Sequence, residues 1–248
     1  MKDLVAVVTG GTRGIGLGIA ESLARRGASV AITFRQDQGA AEKAKIKIKA
    51  CLKKDRKIML LQGDTADAGV VAEQYQSITE SLGPVNVLVN NAGIMTRRSF
   101  EEITEADWQA TLQTNLSGAF YWCAKVIPGM KKAKFGRIVN ISSLAARGGG
   151  VVGPHYAASK AGLLGLTRYT ARELGPFGVT VNAIAPAFIR DAGIFADWDR
   201  AQLDSLKDLV VLPQIGNVRD VVRAFEYLLD SPFVTGVALD VCGGGFMI

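Results

Sequence analysis

One histidine, three cysteines and no long apolar run exclude several classes of protein for this chain of 248 residues. With His155 as its only imidazole and no Cys-x-x-Cys pair, the chain lacks the donor set of a metal centre. Cys51, Cys123 and Cys242 are odd in number and far apart, which rules out a disulfide framework and fits a reducing compartment. No apolar stretch approaches the roughly 20 residues that a membrane span needs. An apolar strand begins within a few residues of Met1, which leaves no room for a signal peptide, so a cytoplasmic protein is expected. Acidic residues are also in deficit, and the formal net charge is +6. Much of that excess lies in one run from Lys43 to Lys57, with no interleaved aromatic residues to stack on bases. The run reads as a solvated helix face, so no nucleic-acid partner is expected.

Apolar residues make up 48% of the chain, enough for a full core. Short apolar runs at 4–9, 29–34, 57–61, 85–89, 137–141, 179–185 and 236–241 read as strands, and helical patterns separate them. One run of helical pattern is expected from Phe100 to Met130, with Trp108, Leu112, Leu116 and Phe120 as its stripe. Strands alternating with helices, without linker or repeat, predict one α/β domain over 1–248. Right-handed crossovers then give a parallel sheet with helices on both faces.

The first strand runs into Thr9-Gly10-Gly11-Thr12-Arg13-Gly14-Ile15-Gly16, followed by a helical pattern. A strand, a glycine turn and a helix N-terminus suit a pyrophosphate, because bare backbone admits it and unpaired amides face it. A tight turn alone would also use these glycines. After the second strand, where an acid would read the ribose hydroxyl of NAD, stands Arg35. With Arg13 it favours a 2'-phosphate and hence NADP, unless Arg35 is only a solvated loop residue. Gly63-Asp64-Thr65 ends the third strand. Asp64 suits an adenine amino group or a helix N-cap, and Asp67 can serve as that cap instead. Asn90-Asn91-Ala92-Gly93 ends the fourth strand, as a ligand-approaching loop or an Asx turn. Asn115 lies inside a helical pattern, where an amide weakens the helix unless its hydrogen bonds are answered.

Tyr156 and Lys160 stand four residues apart on one face of a further helix. A free phenol titrates near ~10, and an adjacent ammonium favours the phenolate; lowering that value by about three units takes roughly 4 kcal/mol. Segment 191–212 has no strong period and reads as a cover over a site. The loop 144–155 reads as its wall.

These motifs, together with Ser143 and Val181-Asn182-Ala183-Ile184-Ala185-Pro186, resemble the short-chain dehydrogenase/reductase family over essentially the whole length. Within it the chain is most similar to 3-oxoacyl-carrier-protein reductases. The resemblance implies a Rossmann-like doubly wound sheet of about seven strands and a catalytic tetrad of Asn115, Ser143, Tyr156 and Lys160. It implies an NADP site built from Gly10, Thr12, Arg13, Gly14, Ile15, Gly16, Arg35, Asp64, Thr65, Asn91, Ala92, Gly93, Tyr156, Lys160, Pro186 and Ile189. In this scheme Ser143 orients a carbonyl, Tyr156 donates a proton, Lys160 lowers its pKa and Asn115 keeps a water. The implied reaction is NADPH-dependent reduction of a ketone, such as a 3-oxoacyl thioester that a carrier protein can present, by a homotetramer built on helices around Trp108 and Tyr169. Two rivals are an NAD-linked alcohol dehydrogenase and a noncatalytic dinucleotide sensor or scaffold. The chain departs from the reductases at Ala187, Asp191 and Cys242, and it has Lys134 and Phe177 where they place carrier-docking arginines. These departures touch the substrate more than the reaction.

Overall fold

A computed structural model describes residues 4–196 and 198–247. Its centre is a parallel sheet of β1 (Val5–Val8), β2 (Ser29–Phe34), β3 (Ile58–Gln62), β4 (Val87–Asn90), β5 (Gly136–Ile141), β6 (Val179–Pro186) and β7 (Ala238–Val241). The order across the sheet is β3-β2-β1-β4-β5-β6-β7. Every residue of β1, β2, β4, β5 and β6 is buried, which is why these strands read as continuous apolar runs without alternation. The order reverses between β1 and β4, so their carboxyl ends diverge and open a crevice there.

One face of the sheet is covered by α1 (Gly14–Arg25), α2 (Gln38–Cys51) and α8 (Val218–Asp230), where Ile19 and Leu23 meet Phe225 and Leu229. The other carries α3 (Ala68–Leu82), α5 (Gly118–Ala133) and α7 (Pro154–Leu174), with Trp122, Met130, Ile78 and Leu174 in its core. Asp67 accepts from the Gly69 and Val70 amides and caps α3. Among the described residues no helix is long and apolar enough to cross a membrane.

The expected single helical run from Phe100 to Met130 is corrected in two ways. Regular helix starts only at α4 (Glu105–Leu112), where Thr104 and Asp107 form a capping box. A π-helical turn over Gln113–Ser117 then separates α4 from α5. The wider turn changes the phase of the buried face. Thr111, Asn115, Gly118 and Trp122 point inward, while Phe120 is exposed and Trp108 and Leu112 are half-buried. The loop 144–155 also contains a helical turn, α6 (Ala145–Gly148), which its glycine content hides.

Candidate active site

The crevice is a cleft of about 1180 Å³ running from the end of β2, past the glycine loop, to the start of α7. Thr9 ties its two lips together. Its hydroxyl accepts from the Asn91 and Ala92 amides, each at 2.9 Å, and Asn91 Nδ2 donates back to the Thr9 and Gly10 carbonyls at 2.9 and 3.0 Å. Asn91 therefore fixes the loop while itself lining the cleft. Gly10 has φ +63°, a left-handed conformation, and a Cβ on it would stand 3.0 Å from Ala92 Cα. A Cβ on Gly16 would lie 2.4 Å from the Gly10 carbonyl oxygen, so Gly16 packs under the loop and does not line the cleft. Arg13, the N-cap of α1, is extended and gives no side-chain cap. The first amides of α1 are left to a ligand, and Gly10, Thr12, Arg13, Gly14 and Ile15 line the cleft beside them. This donor set fits the pyrophosphate of a dinucleotide.

At the β2–β3 end, Arg35 and Asp64 both line the cleft and form an ion pair at 3.7 Å. Both side chains are about half exposed, so the pair contributes at most ~1 kcal/mol and opens readily for a ligand. Asp64 Oδ1 also accepts from Ala66 N at 2.9 Å, which makes it a turn residue and not an N-cap. Thr65, Ala92, Gly93, Pro186 and Ile189 line the cleft as well.

Ser143 follows β5, and Tyr156 and Lys160 lie on the first two turns of α7. Pro154 begins that helix with its fixed φ, after Gly153 at φ +149°. The buried His155 Nε2 lies 3.0 Å from the Thr96 carbonyl and pins α7 to the loop after β4. Ser143 and Tyr156 both line the cleft, and the serine hydroxyl acts to lower the phenol's pKa. The Lys160 ammonium donates to the Ile141 carbonyl at 2.8 Å. It lies 5.7 Å from the centre of the Tyr156 ring, and a Cβ on Gly93 would stand 3.6 Å from it. The absence of a side chain at Gly93 gives the ammonium its space.

Packing sets two features of the site. Burial pushes the Tyr156 phenol above its ordinary value, with the Ser143 hydroxyl acting the other way. The ammonium is engaged by Ile141 and its own pKa falls to about 8, because burial penalises its charge. Asn115 sits outside the cleft wall. Its Oδ1 accepts from Ile94 N at 2.8 Å, and its Nδ2 donates to the Ile94 carbonyl at 3.0 Å and to Ser159 Oγ at 3.1 Å. The amide side chain is committed to holding the loop after β4 against α7. These partners also answer the hydrogen bonds that make an amide costly inside a helix.

Val152, Phe195 and Leu209 line the cleft from the segments read as wall and cover, whereas sequence reasoning missed Met95, Phe188 and Phe246 as cleft residues. No spacing marks them, since they come from loops that only the sheet's carboxyl edge gathers. It also missed a buried chain in which Asn90 Nδ2 donates to Asn140 Oδ1 and Asn140 Nδ2 to Thr167 Oγ1, both at 2.8 Å, tying β4 and β5 to α7. Cys123 beside it is fully buried, and its thiol is pushed up to about 12, which leaves it inert. Asp191 has φ +61°, and its carbonyl lies 3.6 Å from where a Cβ on Gly14 would stand, so the segment after β6 crosses the glycine loop.

A doubly wound parallel sheet with a dinucleotide cleft at its switch point defines a class of nicotinamide-dependent oxidoreductases. The family described as short chain dehydrogenase matches residues 4–202, and this chain belongs to it. The chain is 36% identical over 248 residues to the 3-oxoacyl-(acyl-carrier-protein) reductase FabG of Staphylococcus epidermidis, covering 98% of each. It is 33% identical to the acetoacetyl-CoA reductase of Shinella zoogloeoides, covering 98% of this chain and 99% of that one. A crystal structure of a Sinorhizobium meliloti protein described as a short-chain alcohol dehydrogenase superposes with TM-score 0.89 at 34% identity, over 99% of this chain and 97% of that chain.

Proposed function

We propose that the protein reduces a ketone to a secondary alcohol with NADPH, on a 3-oxoacyl thioester or a related carbonyl compound. NADPH supplies a hydride when bound; placement and the proton fall to the chain. The observation that carries this reading is that Ser143, Tyr156 and Lys160 line the same cleft as the glycine loop. Two hydroxyls converging on one point suit a carbonyl oxygen that gains negative charge in the transition state. Tyr156, on the cleft wall, is the group placed to give that oxygen its proton. Ser143 orients the oxygen. Lys160, held by Ile141, is a buried cation beside the phenol that stabilises negative charge left on it after the proton moves. Asn115 positions the loop after β4 on which Gly93 makes room for that ammonium.

Arg35 and Arg13 line the cleft at the end where an adenosine phosphate would lie, and Arg35 needs only to leave a weak partner, Asp64, to grip it. Supporting the substrate class are the two relatives named for reductases of 3-oxoacyl compounds. A carrier protein as bearer of the substrate, a cytoplasmic location and assembly as a homotetramer belong to the same reading. The exposed Tyr169 and Phe120 on α7 and α5 give such an assembly apolar surface to cover. The test is NADPH and NADH consumption with acetoacetyl thioesters, small ketones and quinones. Faster turnover of an oxo compound with NADPH is expected, and a clear preference for NADH overturns the cofactor assignment.

A further inference from the structure

The end of the chain, which no motif singles out for chemistry, turns back into the cleft. After β7, Gly243 at φ +59° and Gly244 at φ +82° reverse the backbone, and Gly245 N closes the turn on the Cys242 carbonyl at 2.9 Å. Val211 N and Leu212 N both donate to the Gly243 carbonyl, at 2.9 and 3.0 Å, which ties the turn to the segment covering the site. On the other side, Arg147 in α6 pairs with Asp240 at 3.3 Å and donates to the Ala238 carbonyl at 3.3 Å. Both partners of that pair are largely buried, so the helical turn just after Ser143 is held to β7. Phe246 lies between these two anchors. Its Cδ2 lies 3.9 Å from where a Cβ on Gly148 would stand, in ordinary contact range, and it lines the same cleft as Ser143 and Tyr156.

The cleft's charges are concentrated elsewhere. Arg13, Arg35, Asp37 and Asp64 belong to the glycine loop and the β2–β3 end, and Lys160 is engaged by Ile141. Among the described residues lining the cleft the remaining charged side chain is Asp191, whose backbone crosses the glycine loop at Gly14. Val152, Phe188, Phe195 and Leu209 make up much of the remaining wall.

We propose that Phe246 is a specificity-determining residue whose ring, set by the glycine turn between Asp240 and the covering segment, selects oxo compounds whose substituent on that side is compact and apolar. The inference rests on the ketone-reduction reading. A ring on the cleft wall in van der Waals range of Gly148, five residues after Ser143, offers apolar contact to a small group and leaves less room for a bulky one.

The test compares the full-length protein with Phe246→Ala, Phe246→Leu and Gly244→Ala, with NADPH, on uncharged ketones running from small methyl ketones to aryl ketones. In Phe246→Ala the ratio of kcat/KM for bulky over compact ketones should rise by about tenfold, the scale of a pocket change of a few methylenes. Phe246→Leu should fall between, and NADPH affinity should stay at the parent's value. Gly244→Ala should move the ratio in the same direction, because its Cβ would stand 2.7 Å from Val211 Cβ and its φ disfavours a side chain, so the turn must shift. If the parent reduces ketones and the ratio does not move in Phe246→Ala, the selection role is overturned while the reductase reading stands. If the parent reduces no oxo compound, the reductase reading itself fails and takes the selection with it.

Discussion

Replacing Lys160 with Met should make the protein more stable near neutral pH while removing its activity. The ammonium is fully buried, and its pKa drops from 10.5 to about 8 through loss of hydration. The cost of burying the charge is the 2.5 units between those values, or about 3 kcal/mol. The folded state disfavours the proton, so this cost is full below the folded pKa, shrinks as pH rises above it, and vanishes above the unfolded value. Met fits the same space without the charge but forfeits the bond to the Ile141 carbonyl, worth roughly 1.5–3 kcal/mol for a charged donor. Lys160→Met should therefore gain about 1 kcal/mol at neutral pH. Its advantage over the parent should shrink by about 2 kcal/mol between about pH 7 and about pH 9.5, as the parent recovers its buried-charge cost. Urea unfolding followed by circular dichroism at stepped pH reads the difference, in which the other lysines cancel. A gap that stays constant with pH would show that the amine carries no burial cost, and the reasoning would be wrong.

Two further substitutions probe the cofactor end. Gly16→Ala places a methyl 2.4 Å from the Gly10 carbonyl and 2.5 Å from Asn91 Nδ2, neither of which can yield without opening the loop. A loss of about 1–3 kcal/mol of stability is expected, and NADPH titration should show binding lost with it. Arg35→Glu removes the phosphate grip and adds a charge of the wrong sign. KM for NADPH should rise about tenfold or more while KM for NADH holds or falls, and equal changes for the two would remove Arg35 from the 2'-phosphate site.

Features carried by short-range order were legible in the chain. The buried strands announce themselves as valine-rich runs, and Gly10, Gly14 and Gly16 stand where the loop leaves no room for side chains or needs positive φ. Asn91 and Thr9 were recognisable as motif members, although only the fold shows that they bond to each other. Features set by long-range packing were not legible. The π turn around Asn115 depends on bonds to Ile94 and Ser159, one element before and one after it. Spacing put Lys160 beside Tyr156, as the fold does, but could not show that Ile141, nineteen residues from the lysine, also holds the ammonium. Phe246 belongs to the same group, since nothing near it in sequence points to Gly148.

The most direct measurement is NADPH consumption by Tyr156→Phe on an oxo compound the parent reduces, with NADPH binding measured alongside. Loss of the donor hydroxyl should lower kcat by about 10²–10⁴-fold and leave NADPH affinity near the parent's. Turnover at the parent's rate in that variant would mean that another group delivers the proton.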